Sequence, residues 1–131
     1  MTVERLPADT PWAQAVGSAR AVAAGDRVLV AGTLPVRDGM PPEPGDPYAQ
    51  ARAAFANALR ALEPFGLGAE AVVRTRMYLA HVRDVEEVGR AHREVFGETG
   101  PAATLVVVSG FVDSRVLVEV ELEAFRGAGA A

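Results

Sequence analysis

The stretch Ala19-Arg20-Ala21-Val22-Ala23-Ala24-Gly25-Asp26-Arg27-Val28-Leu29-Val30-Ala31-Gly32-Thr33-Leu34-Pro35 decides the fold. Two β-compatible runs, 19–24 and 27–31, flank Gly25-Asp26. That pair is a two-residue loop suited to positive φ, so the stretch reads as an antiparallel hairpin. Residues 35–46 hold four prolines and two glycines and read as loop. A helix follows. Asp46 can cap it and Pro47 suits its first position. Tyr48, Ala51, Phe55, Ala58, Leu59 and Leu62 recur at spacings of three and four, giving one apolar face that Gly66 ends.

Working outward, 71–79 is a strand rich in β-formers. A second helix is expected from Asp84, with Glu87 completing a capping box. Its stripe is Val85, Val88, His92 and Val95, and Gly97 closes it. Residues 104–108 and 116–125 read as two strands joined by a turn near 110–114. The order is β-β-α-β-α-β-β, with 2–6 as an optional first strand. Helices between strands imply parallel crossovers, and the hairpins at either end are antiparallel. The expected fold is therefore α+β, a mixed sheet with two helices on one face. Val, Leu and Ala fill both parities of several strands, so the other face is expected to be apolar. No sequence remains to cover it, and a second copy of the chain is the natural cover.

The 131 residues predict one domain over 1–126 and a flexible Gly/Ala tail over 127–131. There is no cysteine, which excludes disulfides, thiolate nucleophiles and cysteine-ligated metal. All 13 basic residues are arginine, so Schiff-base lysines and the phosphate-loop lysine are excluded too. The net charge of −4 and pI near 5.2, with arginines spread singly, argue against nucleic acid as a partner. No apolar run approaches a membrane span, and the start of the chain lacks a signal-peptide core. The expectation is a cytoplasmic protein with no membrane partner. No cofactor is expected. His81 and His92 lack metal-ligand spacing, so no metal site is expected either.

Particular words in this order carry a resemblance. They are Val30-Ala31-Gly32-Thr33-Leu34-Pro35, then Gln50, Asn57 and Leu59 in the first helix, then Val72-Val73-Arg74-Thr75-Arg76-Met77-Tyr78-Leu79. Pro101-Ala102-Ala103-Thr104 and Val118-Glu119-Val120-Glu121 complete the set. Across residues 3 to 126 the chain resembles the RidA/YjgF family. The resemblance implies a chorismate-mutase-like α+β fold and a homotrimer with small-molecule clefts between subunits. It also implies hydrolysis of enamines or imines made by pyridoxal-phosphate enzymes, with release of a 2-keto acid and ammonia. In such members an arginine after the Pro-Ala pair clamps the substrate carboxylate, and a glutamate on the last strand positions water. Here Ala103 stands at the arginine position, Gly89 at a common asparagine and Ala31 at a common serine. A methyl group cannot capture a carboxylate bidentately, so the chain resembles the arginine-lacking branches of the family.

Candidate catalytic residues are Glu119 and His92. The resemblance maps Glu119 onto the water-positioning glutamate, with Glu121 the lesser alternative. The plainer reading puts Glu119, Glu121 and Glu123 on one solvated strand face. His92 is either a satisfied interface or core histidine or a cleft base assisted by Glu94 or Glu119. Candidate substrate-binding residues are Gly32, Ala31, Trp12, Ala103 and Thr104. Gly32 either admits a ligand to the backbone or makes a bulge. Trp12 either walls a site or packs under the N-terminal arm. Arg74 and Arg76 share a strand face, as replacements for the missing clamp or as surface ion pairs. The leading expectation is hydrolysis of an enamine, imine or related carbonyl compound in each cleft. The alternative is a non-catalytic metabolite-binding or protein-interaction trimer, and a ribonuclease is the least favoured reading.

Overall fold

The computed structural model describes residues 2–37 and 42–127. The predicted loop at 38–41 and the tail beyond Gly127 lie outside the described residues. Six strands form one sheet in the order β1-β2-β3-β6-β4-β5. They are β1 (Val3–Leu6), β2 (Ala21–Ala24), β3 (Arg27–Thr33), β4 (Val72–Leu79), β5 (Ala102–Val107) and β6 (Val118–Phe125). Three helices accompany them: α1 (Pro11–Val16), α2 (Pro47–Arg60) and α3 (Val85–Phe96). This is the α+β class the sequence implied, and β2 and β3 form the expected hairpin, with Gly25 at φ 62° in its turn.

The C-terminal half departs from expectation. Strands β5 and β6 do not pair as a hairpin. Instead β5 runs parallel to β4 at the sheet edge, and β6 inserts antiparallel between β3 and β4. Neighbours in sequence read as a hairpin, but the 108–117 connection is long enough to carry β6 across β4. Helix α1 was also not expected; Thr10 caps it by accepting from the Ala13 amide at 3.0 Å.

Each long helix turns its small and apolar residues to the sheet. From α2 these are Ala51, Ala54, Phe55 and Ala58, all buried. The alanines let the helix lie close, and Phe55 alone buries enough apolar surface to contribute about 2–3 kcal/mol. The Asp46 cap is present, its carboxylate accepting from the Ala49 amide at 3.0 Å. The capping box on α3 is not. A 3₁₀ turn over Val82–Asp84 leads into the helix, and Asp84 makes no side-chain cap. Glu87 pairs with Arg90 at 3.0 Å instead. The buried residues of α3 are Val88, Ala91 and Phe96, while Val85 is exposed. Polar side chains staple the loops. Buried Gln50 donates to the Glu43 and Arg115 carbonyls and accepts from the Leu117 amide, and Asn57 donates to the Leu34 and Val36 carbonyls.

The helix-facing parity of β6 is Val118, Val120, Leu122 and Ala124, all buried. The opposite sheet face is not the apolar surface the sequence suggested. Its centre carries Arg74, Arg76 and Tyr78 from β4 and Glu119, Glu121 and Glu123 from β6, with Leu29 and Val106 towards its margins. The Val-rich composition of these strands is spent on the core parity, which leaves charge for the outer one.

Candidate functional site

Strand alternation aims Glu119 and Glu121 out of the same side of β6. Register then decides their company. Tyr78 lies opposite Glu119 and Arg76 opposite Glu121. Tyr78 reaches diagonally and donates its hydroxyl to Glu121 Oε1.

On the other flank the β3–β6 ladder shifts register between Val30 and Thr33. This bulge turns both Val30 and Thr33 to the core and leaves Gly32 facing Glu119. A Cβ on Gly32 would lie 2.8 Å from Glu119 Oε2. Gly32 is not among the glycines with positive φ, so what an added Cβ would meet here is the Glu119 carboxylate and not a strained backbone.

Arg20 holds the bulge from behind. Its Nη2 donates to the Ala31 carbonyl at 2.6 Å, the Gly32 carbonyl at 3.2 Å and Thr33 Oγ1 at 2.5 Å. The Thr33 hydroxyl donates to the Ala31 carbonyl at 2.7 Å, and the Ala31 amide donates to the Arg20 carbonyl. Sequence reading missed Arg20, because a lone arginine before a strand carries no motif. Only the bulge explains it.

Between these walls lies a cavity of about 290 Å³. Gly32, Glu119, Glu121 and Tyr78 form one side, and Val108, Gly110 and Phe111 of the loop after β5 form the other. Burial raises the pKa of Glu119 above the ordinary carboxylate value. The neighbouring Glu121 charge adds to the rise, and Arg20 opposes it. A carboxyl shifted in this direction is a better proton acceptor than an ordinary one. Tyr78 titrates higher than a free tyrosine, chiefly because of its bond to Glu121, and so keeps its hydroxyl proton.

The other sequence candidates fall elsewhere. His92 is on α3, on the helix side of the sheet, where Nε2 lies 2.8 Å from the hydroxyl of buried Thr75. Its ring packs against Phe55 and Phe96. Thr75 pairs with Leu122, on the core parity, so the sheet separates His92 from Glu119. The reading of His92 as a base assisted by Glu119 is thereby removed; the half-buried ring lies beside the core, and burial lowers its pKa.

Ala103 and Thr104 sit on exposed edge strand β5, in register with Thr75 and Arg76. Ala31 contributes to the bulge. Trp12 is on α1 and 63% exposed, so it is not packed beneath the N-terminal arm. Arg74 and Arg76 are ion-paired to Glu123, at 3.7 and 3.3 Å, as is Arg27 at 3.7 Å. Among the described residues no cluster of three or more metal-ligating side chains occurs, and no helix is long and apolar enough to cross a membrane.

Comparison with known proteins places this geometry. An uncharacterized Streptomyces coelicolor protein is 56% identical, with 96% of this chain and 94% of that protein aligned. A RutC family protein from Pyrococcus horikoshii is 31% identical over 82% of this chain and 85% of its own length. The crystal structure of Mycobacterium tuberculosis Rv2704, a member of the YjgF/YER057c/UK114 family, superimposes with a TM-score of 0.84. It is 33% identical and covers 95% of this chain and 99% of the other. The family model described as Endoribonuclease L-PSP matches residues 4–126. With that match, the superposition and these relatives in hand, the chain belongs to the RidA/YjgF (endoribonuclease L-PSP) family.

Proposed function

We propose that the chain is a single RidA-like domain over 1–126 that works as a homotrimer and hydrolyses an enamine, imine or related carbonyl compound lacking a carboxylate. The observation that carries this reading is Glu119. It stands in a cavity wall, partly withdrawn from water, against a glycine whose Cβ would displace it. Glu119 takes a proton from water as the water adds to the C=N carbon and passes it to the nitrogen, giving a carbinolamine. It then takes the carbinolamine hydroxyl proton as the C=O forms and passes it to the nitrogen as the C–N bond breaks. The carboxylate-free substrate follows from Ala103 and from a cavity wall with no basic residue. The cavity is open on the sheet face, and a subunit packed there completes the cleft.

The test generates imines in place. An amine oxidase supplies carboxylate-free imines, an amino-acid oxidase supplies imino acids, and semicarbazide traps whatever survives. The native protein is expected to suppress trapping of the carboxylate-free imines, and Glu119→Gln is expected to abolish the effect. Full activity in Glu119→Gln, or no effect of the native protein on either class, supports the non-catalytic binding trimer instead.

A further inference from the structure

We propose that the cavity selects ligands carrying a cationic nitrogen beside an apolar group, with Glu121 reading the charge and Tyr78 holding Glu121 in place. The inference rests on reading the Glu119 cavity as a small-molecule site, and it deepens that reading by naming the charge of the ligand.

The polar side chains of the wall are two carboxylates and a phenol, with Gly32 backbone beside them, and none of the lining side chains is basic. The guanidinium groups around it make their hydrogen bonds and ion pairs elsewhere, although the Arg20 charge still acts on Glu119. Arg27, Arg74 and Arg76 all lie on Glu123, and Arg20 spends its Nη2 on the bulge. Arg115, just beyond the Phe111 loop, is held by Asp113 at 2.7 Å. The charged side chains that line the cavity are therefore both carboxylates, with Arg20 acting on Glu119 from outside the wall. Two like charges side by side oppose each other, and a cation placed between them removes the repulsion while an anion compounds it.

The remaining wall suits the same ligand. Phe111 and Tyr78 present aromatic rings, which attract a cation within about 6 Å of the centroid. Val108 offers an apolar contact. Tyr78 uses its single proton on Glu121, which leaves Glu121 fixed in direction and Glu119 without that restraint. The two carboxylates thus divide their labour: one orients the cation and the other handles protons.

NMR titration of the intact protein tests this with three probes of one shape: cyclohexylammonium, cyclohexanol and cyclohexanecarboxylate, read at the Gly32 and Gly110 amides. Cyclohexylammonium is expected to bind at least about tenfold more tightly than cyclohexanol, the effect of one favourable charge contact. Cyclohexanecarboxylate is expected to bind weakest. Glu121→Gln keeps the shape and is expected to bring ammonium and alcohol together. Tyr78→Phe is expected to reduce their ratio in part. Equal or tighter binding of the carboxylate, an unchanged ratio in Glu121→Gln, or no shift with any probe overturns the proposal. The imine assay separates the two claims. Glu119-dependent hydrolysis without cation preference overturns charge selection alone, whereas cation preference without hydrolysis upholds it and overturns the reaction.

Discussion

The Gly32 backbone and the Glu119 carboxylate occupy one space: a methyl group on the first would sit 2.8 Å from an oxygen of the second. Glu119 is flexible at its far end, so Gly32→Ala is tolerated by the fold and changes stability by no more than about 0.5 kcal/mol. The carboxylate, however, must move. A misplacement near 1 Å at a reacting group costs up to about a hundredfold in rate. Thermal unfolding and the imine assay together check this, and an unchanged rate separates the glycine from the chemistry.

Arg20 is expected to act on stability and on the site together. Arg20→Met leaves the Ala31 and Gly32 carbonyls without their shared donor, and about 2–4 kcal/mol is lost in chemical denaturation. Arg20→Lys keeps the charge but not the planar fork and falls between the two.

The pH response follows the same residue. Arg20 is the charge that opposes the rise in the Glu119 pKa. In any folded Arg20 variant lacking positive charge, Glu119 titrates higher still, and the rate limb it governs moves to higher pH. Carboxyl-carbon NMR of Glu119 reads this directly, and a shift downward contradicts it.

His92 sets an acid limit on stability. Burial favours its neutral form in the folded state, so its folded pKa lies below the ordinary 6.5. A group of this sign contributes stability above 6.5, and that contribution is lost as the pH falls through its folded value. Unfolding midpoints of the native protein should therefore drop more steeply below pH 6.5 than those of His92→Gln. Parallel curves would assign the acid limit to other groups.

Sedimentation equilibrium at micromolar concentration is expected to give three times the 13.7 kDa chain mass. Because the face proposed to pack carries the Glu123 cluster with Arg27, Arg74 and Arg76, Glu123→Arg should weaken the assembly. Like charges then meet with no counterion between them. A monomer in the native protein removes the basis for a cleft between subunits.

Local chemistry made the β2–β3 hairpin, the Asp46 cap and the α2 face legible from sequence. Each depends on neighbours within a few residues. The placement of β6 depends on a pairing between residues more than 40 apart, such as Tyr78 with Glu119, and no short-range pattern encodes it. The site inherits that division. Glu119 and Gly32 could be named from a motif resemblance, but Tyr78 and Glu121 become partners only once β6 lies beside β4. Arg20 was invisible for the same reason, since its acceptors are carbonyls exposed by a bulge. His92 misled because a helical stripe shows that a face is buried without showing which side of the sheet buries it.

The insertion of β6 between β3 and β4 also governs when the site can exist. Before residues 118–125 have been made, β1-β2-β3 and β4-β5 are two separate ribbons, each with an open edge. No earlier intermediate holds any part of the β6 wall, and long-range closure of this kind is slow. During synthesis the nascent chain therefore carries two sticky borders until its last described strand joins them. A cell making this protein has most to gain from chaperone contact in that interval.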